Sequence, residues 1–325
     1  TIPINVWHSR FMQVKHKLNI TIKEIIEMYP EDFIIPISSN EKFSILKDIK
    51  QKGQYHIIAS AGEIDMTKYK SKFNNIGLGT RVITGAQIQR YYITDTPSQG
   101  NVIYINDQNK PGLSSKREQE VSNPRIVLQR ITGVDSKVRI ISTLINGHMY
   151  CANSTNYIAN DNSINIKYLL GVLNSSLVNF FIKQTSTNTN ITAKVLNSIP
   201  IIFPSTKMQD AIIRIVDYVL IIKSLPSDII IDQYVDNDVM ARQFENVIDA
   251  LIYELYFSDE FAQENLSFVD SVLRDFQIIN ANTESVVQII LDTFTKLRSM
   301  DNDIRNNLKY MSIKLESLLA PIINI

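Results

Sequence analysis

The spacing of hydrophobic and polar positions changes several times along this chain of 325 residues. Between residues 38 and 53, apolar side chains recur at helical intervals after a segment with capping-box spacing, which predicts a short amphipathic helix. From residue 55 to residue 157, short β-branched and aromatic runs alternate with Gly, Asn, Asp and Pro, which predicts a strand-rich region. Within it, Asn146-Gly147 favours a type I′ hairpin.

Helical spacing returns at Ile166 and continues to the C-terminus. Residues 166–181 form one apolar stripe, residues 199–204 are expected to be extended around two prolines, and residues 206–222 predict a further helix. Residues 225–240 are acidic and lack a clear period, so we predict a linker there. Four apolar stripes beyond it predict a helical bundle, the last of them too short for a true coiled coil. The pattern therefore predicts an α+β fold, with a strand-rich domain and amphipathic helices over residues 40–224 and a helical domain over residues 241–325.

Composition narrows the class of protein. No apolar run of about 18 residues is present, which predicts no membrane span. The N-terminus lacks the features of a signal peptide and resembles the middle of a protein, so we expect the chain to be a fragment. Cys151 is the only cysteine, which excludes a disulfide framework and favours a reducing cytoplasmic location. Its apolar surroundings predict a buried strand thiol.

Charge is distributed unevenly although the net charge is zero. Residues 1–140 hold 20 Lys and Arg against 13 Asp and Glu, whereas residues 241–325 hold 7 against 13. Such asymmetry is typical of a polyanion-binding part joined to an acidic part, with a chance fluctuation of the solvated surface as the alternative.

Two segments contain side chains suited to nucleic-acid recognition. Thr84–Tyr92 combines a glycine turn, two amides, a guanidinium and two aromatics, and Gln and Arg can pair bidentately with adenine and guanine edges. Lys116-Arg117 lies beside Pro and Gly and is predicted to form an exposed basic loop that binds phosphates. The alternative for the arginines of the strands is a solvated strand face, and the alternative for the Asn- and Thr-rich segment 185–190 is a plain loop.

Catalytic patterns are weak by comparison. Gly77-Leu78-Gly79 lacks the spacing of a cofactor loop, and Asn123-Pro124-Arg125 lacks the second Pro and the aromatic residue of an adenine-binding tetrapeptide. The four histidines show no metal-ligand spacing. A nuclease built on Asp32, Asp48 and Lys50 is the nearest approach to metal-dependent cleavage, but a solvated helix face explains Asp48 and Lys50 better.

An ordered series of motifs gives the most specific information. It comprises Ala61–Ile64, the Gly-x-x-Ile-x-Arg-Tyr pattern of Gly85–Tyr91, Arg125–Gly133 with the later Arg139, Asn153–Tyr157, Leu169–Leu177, Ser186–Asn190 and Pro200-Ile201. Over roughly residues 40–205 this series resembles the target-recognition domain of type II restriction–modification adenine methyltransferases, the TaqI-like C-terminal specificity domain.

The resemblance implies sequence-specific binding of double-stranded DNA by a fragment whose methyl-transfer motifs lie elsewhere. Residues 1–39 would connect to an upstream catalytic domain, and the parent enzyme would use S-adenosylmethionine, with Mg²⁺ if a nuclease is fused. Methyltransferase and nuclease domains are the expected partners, in the same or a separate chain. A specificity subunit without catalytic activity is the alternative. The residues predicted to contact DNA are Arg81, Thr84, Gly85, Gln87, Gln89, Arg90, Lys116, Arg117, Arg125, Gln129, Arg130, Lys137, Arg139, Asn188, Asn190 and Lys194, with Arg90 ranked as the base-contacting residue and Lys116-Arg117 as the phosphate clamp.

Overall fold

The computed structural model describes residues 40–110, 112–133, 137–186 and 188–324. The connector predicted over residues 1–39 lies outside them, as does Asp32 of the nuclease alternative. The first helix, α1 (Asn40–Lys52), buries Phe43, Leu46 and Ile49 as its apolar spacing predicts. Asp48 is exposed on its opposite face.

Ten strands follow α1 in the described part of the chain. They are β1 (Ala59–Ala61), β2 (Phe73–Asn74), β3 (Thr80–Ile83), β4 (Ile88–Gln89), β5 (Tyr92–Ile93), β6 (Ile103–Ile105), β7 (Arg125–Gln129), β8 (Ser142–Ile145), β9 (Tyr150–Cys151) and β10 (Thr155–Ala159). Among these residues, the first of two four-stranded sheets has the order β1-β10-β7-β8 and is antiparallel throughout. The second has the order β2-β6-β3-β9, with β3 and β9 parallel, and a short hairpin pairs β4 with β5.

The first sheet is covered on both faces. Ile126 and Leu128 of β7 join the core that the helices complete, while Val127 packs with Ile83 and Cys151 of the second sheet. Alternate residues of β7 therefore enter different cores, which explains why this strand is almost continuously apolar. Cys151 is fully buried, in agreement with the prediction of a buried strand thiol.

The hairpin predicted at Asn146-Gly147 is wrong. Gly147 does adopt a left-handed conformation with a φ of 88°. However, β8 pairs with β7 in the first sheet, whereas β9 pairs with β3 in the second. The chain crosses from the first sheet to the second here because the strand Tyr150–Cys151 pairs with β3.

The helices beyond residue 165 pack on the first sheet and on one another, whereas Val121 of the helix Ser115–Ser122 packs in the core of the second sheet. The stripe over residues 166–181 is two helices rather than one, since the chain breaks at Asn174, and the last stripe also breaks, at Leu315. The basic segment around Lys116 is helical rather than a loop. The helices are α2 (Ser115–Ser122), α3 (Ile166–Leu173), α4 (Ser176–Thr185), α5 (Ala193–Asn197), α6 (Thr206–Ser224), α7 (Asn237–Tyr256), α8 (Ser258–Gln263), α9 (Val269–Asp275), α10 (Val286–Arg298), α11 (Asp303–Lys314) and α12 (Glu316–Ile323).

A strand-rich region thus precedes a helical C-terminal region, which confirms the predicted α+β class. Helices α6 and α7 pack along each other, and one hydrophobic core contains Phe43 of α1, Ile126 of β7 and Ile322 of α12. Residues 225–236 join α6 to α7, whereas residues 237–240 of the predicted linker belong to α7. The domain boundary placed over residues 225–240 stays a prediction. In the part of the chain that the structure describes, no helix is long and apolar enough to cross a membrane.

Candidate functional site

Four of the sequence motifs meet at one end of the two sheets. The backbone N–H of Gly85 donates to Oγ of Ser154 at 3.1 Å, and the N–H of Arg130 donates to the Ser154 carbonyl at 3.3 Å. The N–H of Ile191 donates to the Arg130 carbonyl at 2.7 Å. We call this surface the motif junction, and it comprises Thr84–Gly85, Arg130–Ile131, Asn153–Ser154 and Asn188–Asn190.

The motif junction is held rigidly by its backbone. A Cβ atom at Gly85 would lie 2.9 Å from the Ser154 carbonyl oxygen, so the close approach there needs a glycine. Thr132 N–H donates to the Thr189 carbonyl at 3.0 Å, which aligns the Asn- and Thr-rich segment with the end of β7. These contacts fix the loops relative to both sheets.

Several side chains of the motif junction face solvent. Asn188 and Asn190 are exposed, as is Lys194 at the start of the following helix α5. Arg130 is half-buried and donates from Nη1 to the Asn153 carbonyl at 3.1 Å. Ile131 is exposed and pairs through its backbone with Asn190. Amide, ammonium and guanidinium groups are therefore presented together on a fixed surface.

Arg139 lies beneath this surface and does not face solvent. It is fully buried, and its guanidinium donates to the carbonyls of Ser186 and Asn188 and to Oγ1 of Thr132. Burial lowers the pKa of Arg139. Arg139 therefore supports the segment from below, and the structure corrects its prediction as a DNA-contacting residue.

Arg125 requires the same correction. Both it and Glu63 have 0% exposed side chains, and they form an ion pair between Nη1 and Oε1. Glu63 also accepts a hydrogen bond from the Cys151 N–H at 2.7 Å. The Ala61–Ile64 motif was visible in the sequence, but the partner of its glutamate was not, because the two residues are 62 positions apart.

The side chains of Gln87 and Gln129 form hydrogen bonds within the protein. Gln87 is fully buried and accepts from the Thr84 N–H at 3.0 Å through Oε1, closing a capping box over the turn at Gly85–Gln87. Its prediction as a base-contacting residue is thereby corrected. Gln129 donates to the Ile88 carbonyl at 2.7 Å, and Gln89 is half-buried in the β4–β5 hairpin.

Arg90 connects the strands to the helical region. It lies with Tyr91 in the turn between β4 and β5, forms an ion pair with Glu245 of α7, and donates to the Asn174 carbonyl at 2.6 Å. Tyr91 is buried with a φ of 67°, an unusual conformation for a bulky residue. The guanidinium of Arg90 is thus engaged within the protein, which corrects the prediction of Arg90 as the base-contacting residue.

Asn174 is an important residue that sequence reasoning missed. Its side chain accepts from the N–H of Ser142 at 3.2 Å and donates to the Ser142 carbonyl at 3.0 Å, so it continues the edge of β8 as a strand would. Ser175 then caps α4 by accepting from the Val178 N–H. The Leu-Asn-Ser-Ser-Leu pattern, in which Asn and Ser interrupt an apolar stripe, is the signal for this break.

A cleft of about 610 Å³ lies beside the Arg90 ion pair, and its lining includes Asn174, Glu245 and Asp249. Asp249 accepts hydrogen bonds from the N–H and the hydroxyl of Ser176, at 2.8 and 2.6 Å. Burial raises the pKa of Asp249 to about 6. Within the described ranges, His, Cys, Asp and Glu side chains form no group of three or more that could hold a metal ion.

The remaining predicted cations are distributed over the second sheet and the helices. Lys116 is exposed on the first turn of α2 and lies 3.9 Å from Glu120, while Arg117 beside it is half-buried. Arg81 pairs with Asp95 at 2.7 Å, and Lys137 is exposed near the motif junction. Burial and the positive charges of Arg139, Lys42 and Lys137 lower the pKa of Lys183.

Sequence reasoning also missed three exposed lysines, Lys68, Lys70 and Lys72. Tyr69 and Phe73, which alternate with them, pack against the same hydrophobic cluster as Leu113, two residues before α2. The available signal was the absence of Asp and Glu from residues 66–94. We call Lys68, Lys70, Lys72 and Lys116 the lysine edge.

The fold and the motif junction define an α+β domain that presents a fixed loop surface. Residues 80–201 match the family model of the TaqI-like C-terminal specificity domain, which confirms the resemblance over this segment. Comparison with curated proteins gave no match. Among solved structures, the type IIL restriction-modification enzyme MmeI, determined in complex with DNA, is similar with 14% identity and a TM-score of 0.40. The similarity covers 76% of this chain and 36% of the MmeI chain.

Proposed function

We propose that the chain recognises the base sequence of duplex DNA as the specificity part of a restriction–modification system. The observation that carries this proposal is the convergence of four motifs of the matched specificity domain on one rigid surface. Amide and guanidinium groups such as those of Asn188, Asn190 and Arg130 are the types that hydrogen-bond base edges. Exposed lysines such as those of the lysine edge are the types that bind phosphates without regard to sequence.

Rigidity supports this assignment. A surface that discriminates base pairs must hold its donors and acceptors in place, because mobile side chains lose entropy on binding and tolerate wrong partners. Gly85, Ser154 and the buried Arg139 supply that support at the motif junction through backbone contacts. Lys137 and Lys194, exposed nearby, would contact phosphates beside the bases being read.

We further propose that the parent enzyme is an adenine-N6 methyltransferase of type II that flips its target base. This finer proposal rests on the motif series. S-adenosylmethionine, and Mg²⁺ if a nuclease is fused, would bind to methyltransferase or nuclease domains in the same or a separate chain. The segment Gly77–Gly79 joins two strands, β2 and β3, and does not open a helix, so it does not fit the cofactor. We assign no cofactor contact to the described residues.

The test is DNA binding by single variants on a selected site and on random duplexes. Asn190→Ala is expected to cost about 1–3 kcal/mol on the selected site and much less on random DNA, because it removes a base contact. Lys116→Ala is expected to weaken both complexes alike and to lower the salt slope by about one unit. Lys309→Ala, an exposed lysine on α11, is the matched control and should change neither. Equal small effects from all three variants would contradict the proposal.

A further inference from the structure

The loop between β2 and β3 presents two aliphatic side chains to solvent. Ile76 is 73% exposed and Leu78 is 58% exposed. Gly77 and Gly79 flank Leu78 with φ values of 82° and 94°. A Cβ atom at Gly79 would lie 2.2 Å from the Ile105 carbonyl oxygen, so the loop passes directly over the end of β6. We call residues 75–79 the apolar loop.

Asn74 holds the apolar loop in one conformation. Its side-chain amide donates to the Leu78 carbonyl at 2.7 Å and to the Tyr104 carbonyl at 3.3 Å. Its Oδ1 accepts from the N–H of Leu78 at 3.0 Å and from that of Ile76 at 3.3 Å. Three of these hydrogen bonds hold the backbone of the apolar loop and the fourth joins Asn74 to β6, so the loop backbone is ordered before any partner binds. Such preorganisation reduces the entropy lost on binding.

Along the chain, basic residues and no acidic residues flank the apolar loop. No Asp or Glu occurs between residues 66 and 94, and Asp95, the next one, is paired with Arg81. Lys68, Lys70 and Lys72 lead into the loop and are exposed. Isolated exposed aliphatic residues need no explanation, but a fixed pair beside a lysine edge has the character of a binding element. The complementary partner is a polyanion that also offers apolar surface.

We propose that the apolar loop enters a groove of duplex DNA, with Ile76 and Leu78 against base edges and sugars and the lysine edge on the flanking phosphates. The proposal rests on the proposed DNA-recognition function and adds a contact outside residues 80–201. Duplex DNA satisfies both requirements of the loop, because its grooves contain thymine methyl groups and sugar faces between rows of phosphates. Aliphatic side chains enter DNA grooves in this way in other proteins.

Apolar and ionic contacts differ in their response to salt, which gives a specific test. The double variant Ile76→Ser/Leu78→Ser is expected to bind short duplexes roughly ten- to a hundredfold more weakly, because it removes two buried aliphatic groups. Its salt slope should equal that of the unsubstituted chain, since no charge is lost, whereas Lys70→Ala should lower the slope by about one unit. Ile278→Ser, at a position 76% exposed in the acidic C-terminal region, is the matched control and should leave affinity unchanged. Circular dichroism should give the same melting temperature for all variants, because the substituted side chains are exposed.

The outcomes separate this proposal from the function on which it rests. Absence of salt-dependent DNA binding by the unsubstituted chain would overturn the proposed function and the loop contact together. Binding by the unsubstituted chain and equally tight binding by the double variant would overturn the loop contact alone. The double variant could also keep its DNA affinity and lose self-association in light scattering. That result would assign the loop to contact with a second copy of the chain and would overturn the loop contact with DNA.

Discussion

The buried ion pair between Glu63 and Arg125 gives the sharpest prediction of the structure. We consider the substitution Glu63→Ala. Glu63 forms an ion pair with Arg125 and accepts a hydrogen bond from the Cys151 N–H. The Arg125 guanidinium also donates to the Met149 carbonyl and lies 4.6 Å from the centre of the Tyr157 ring. Removal of the carboxylate takes the acceptor of Nη1 of Arg125 and of the Cys151 N–H, in a site where the Glu63 and Arg125 side chains are 0% exposed.

The magnitude follows from this geometry. Breaking a buried pair by removing one partner costs about 3–5 kcal/mol, and an unsatisfied buried amide costs roughly 1–3 kcal/mol. Since the two losses overlap, we expect Glu63→Ala to lower the free energy of unfolding by about 4–6 kcal/mol. Domains are stable by only about 5–15 kcal/mol, so the loss is a large fraction of the total. Glu63→Met/Arg125→Met should regain much of it, because no charge is then buried.

Urea denaturation followed by far-ultraviolet circular dichroism measures this loss. Asp95→Ala is the control, because it removes the partner of Arg81 from a site where the aspartate is 78% exposed. Exposed pairs contribute about 0–1 kcal/mol, so this variant should be nearly as stable as the unsubstituted chain. A loss for Glu63→Ala no larger than that for Asp95→Ala would refute the argument, as would a double variant no more stable than Glu63→Ala.

Three further predictions concern stability, reactivity and cleavage. Because burial raises the pKa of Asp249 to about 6, the folded chain binds an extra proton relative to the unfolded chain, and ionisation opposes folding. Urea denaturation at several pH values from about 4 to 7 should therefore show the Asp249→Asn variant gaining stability relative to the unsubstituted chain as pH rises, by up to about 2–3 kcal/mol. A difference in unfolding free energy that stays constant with pH would contradict this. Burial raises the pKa of the Cys151 thiol to about 12, so a thiol reagent at neutral pH should label it only after unfolding, and rapid native labelling would be the opposite result. Limited proteolysis should cut first within residues 225–236, and the two fragments should co-elute because α6 packs on α7. A first cut within residues 125–157 would contradict the predicted domain boundary.

Elements defined by local spacing were predictable from the sequence. Helix α1, the helix α10 and the strand-rich region all follow from the period of apolar residues, because burial on one face imposes that period directly. The α+β class and the family resemblance over residues 80–201 follow from the same local information, the second through motif order.

Long-range partners could not be predicted. Arg125 and Arg139 alternate with apolar residues as solvated arginines of an open sheet would, but both are buried against distant partners. Arg125 pairs with Glu63, and Arg139 donates to the carbonyls of Ser186 and Asn188. Arg90 is paired with a glutamate 155 residues away, so neither its engagement nor the contact between the strand-rich and helical regions is visible locally. The break at Asn174 is a further example, because its side-chain amide hydrogen-bonds the N–H and the carbonyl of Ser142 on β8 and not solvent.

Selection from a pool of random duplexes tests the central claim most directly. The chain would be incubated with the pool at moderate salt, and the bound duplexes would be amplified and sequenced over several rounds. If the chain recognises base sequence, one short site should be enriched, and Asn190→Ala should reduce that enrichment while Lys309→Ala leaves it intact. Retention of duplexes by the folded chain without enrichment of any sequence would contradict the account.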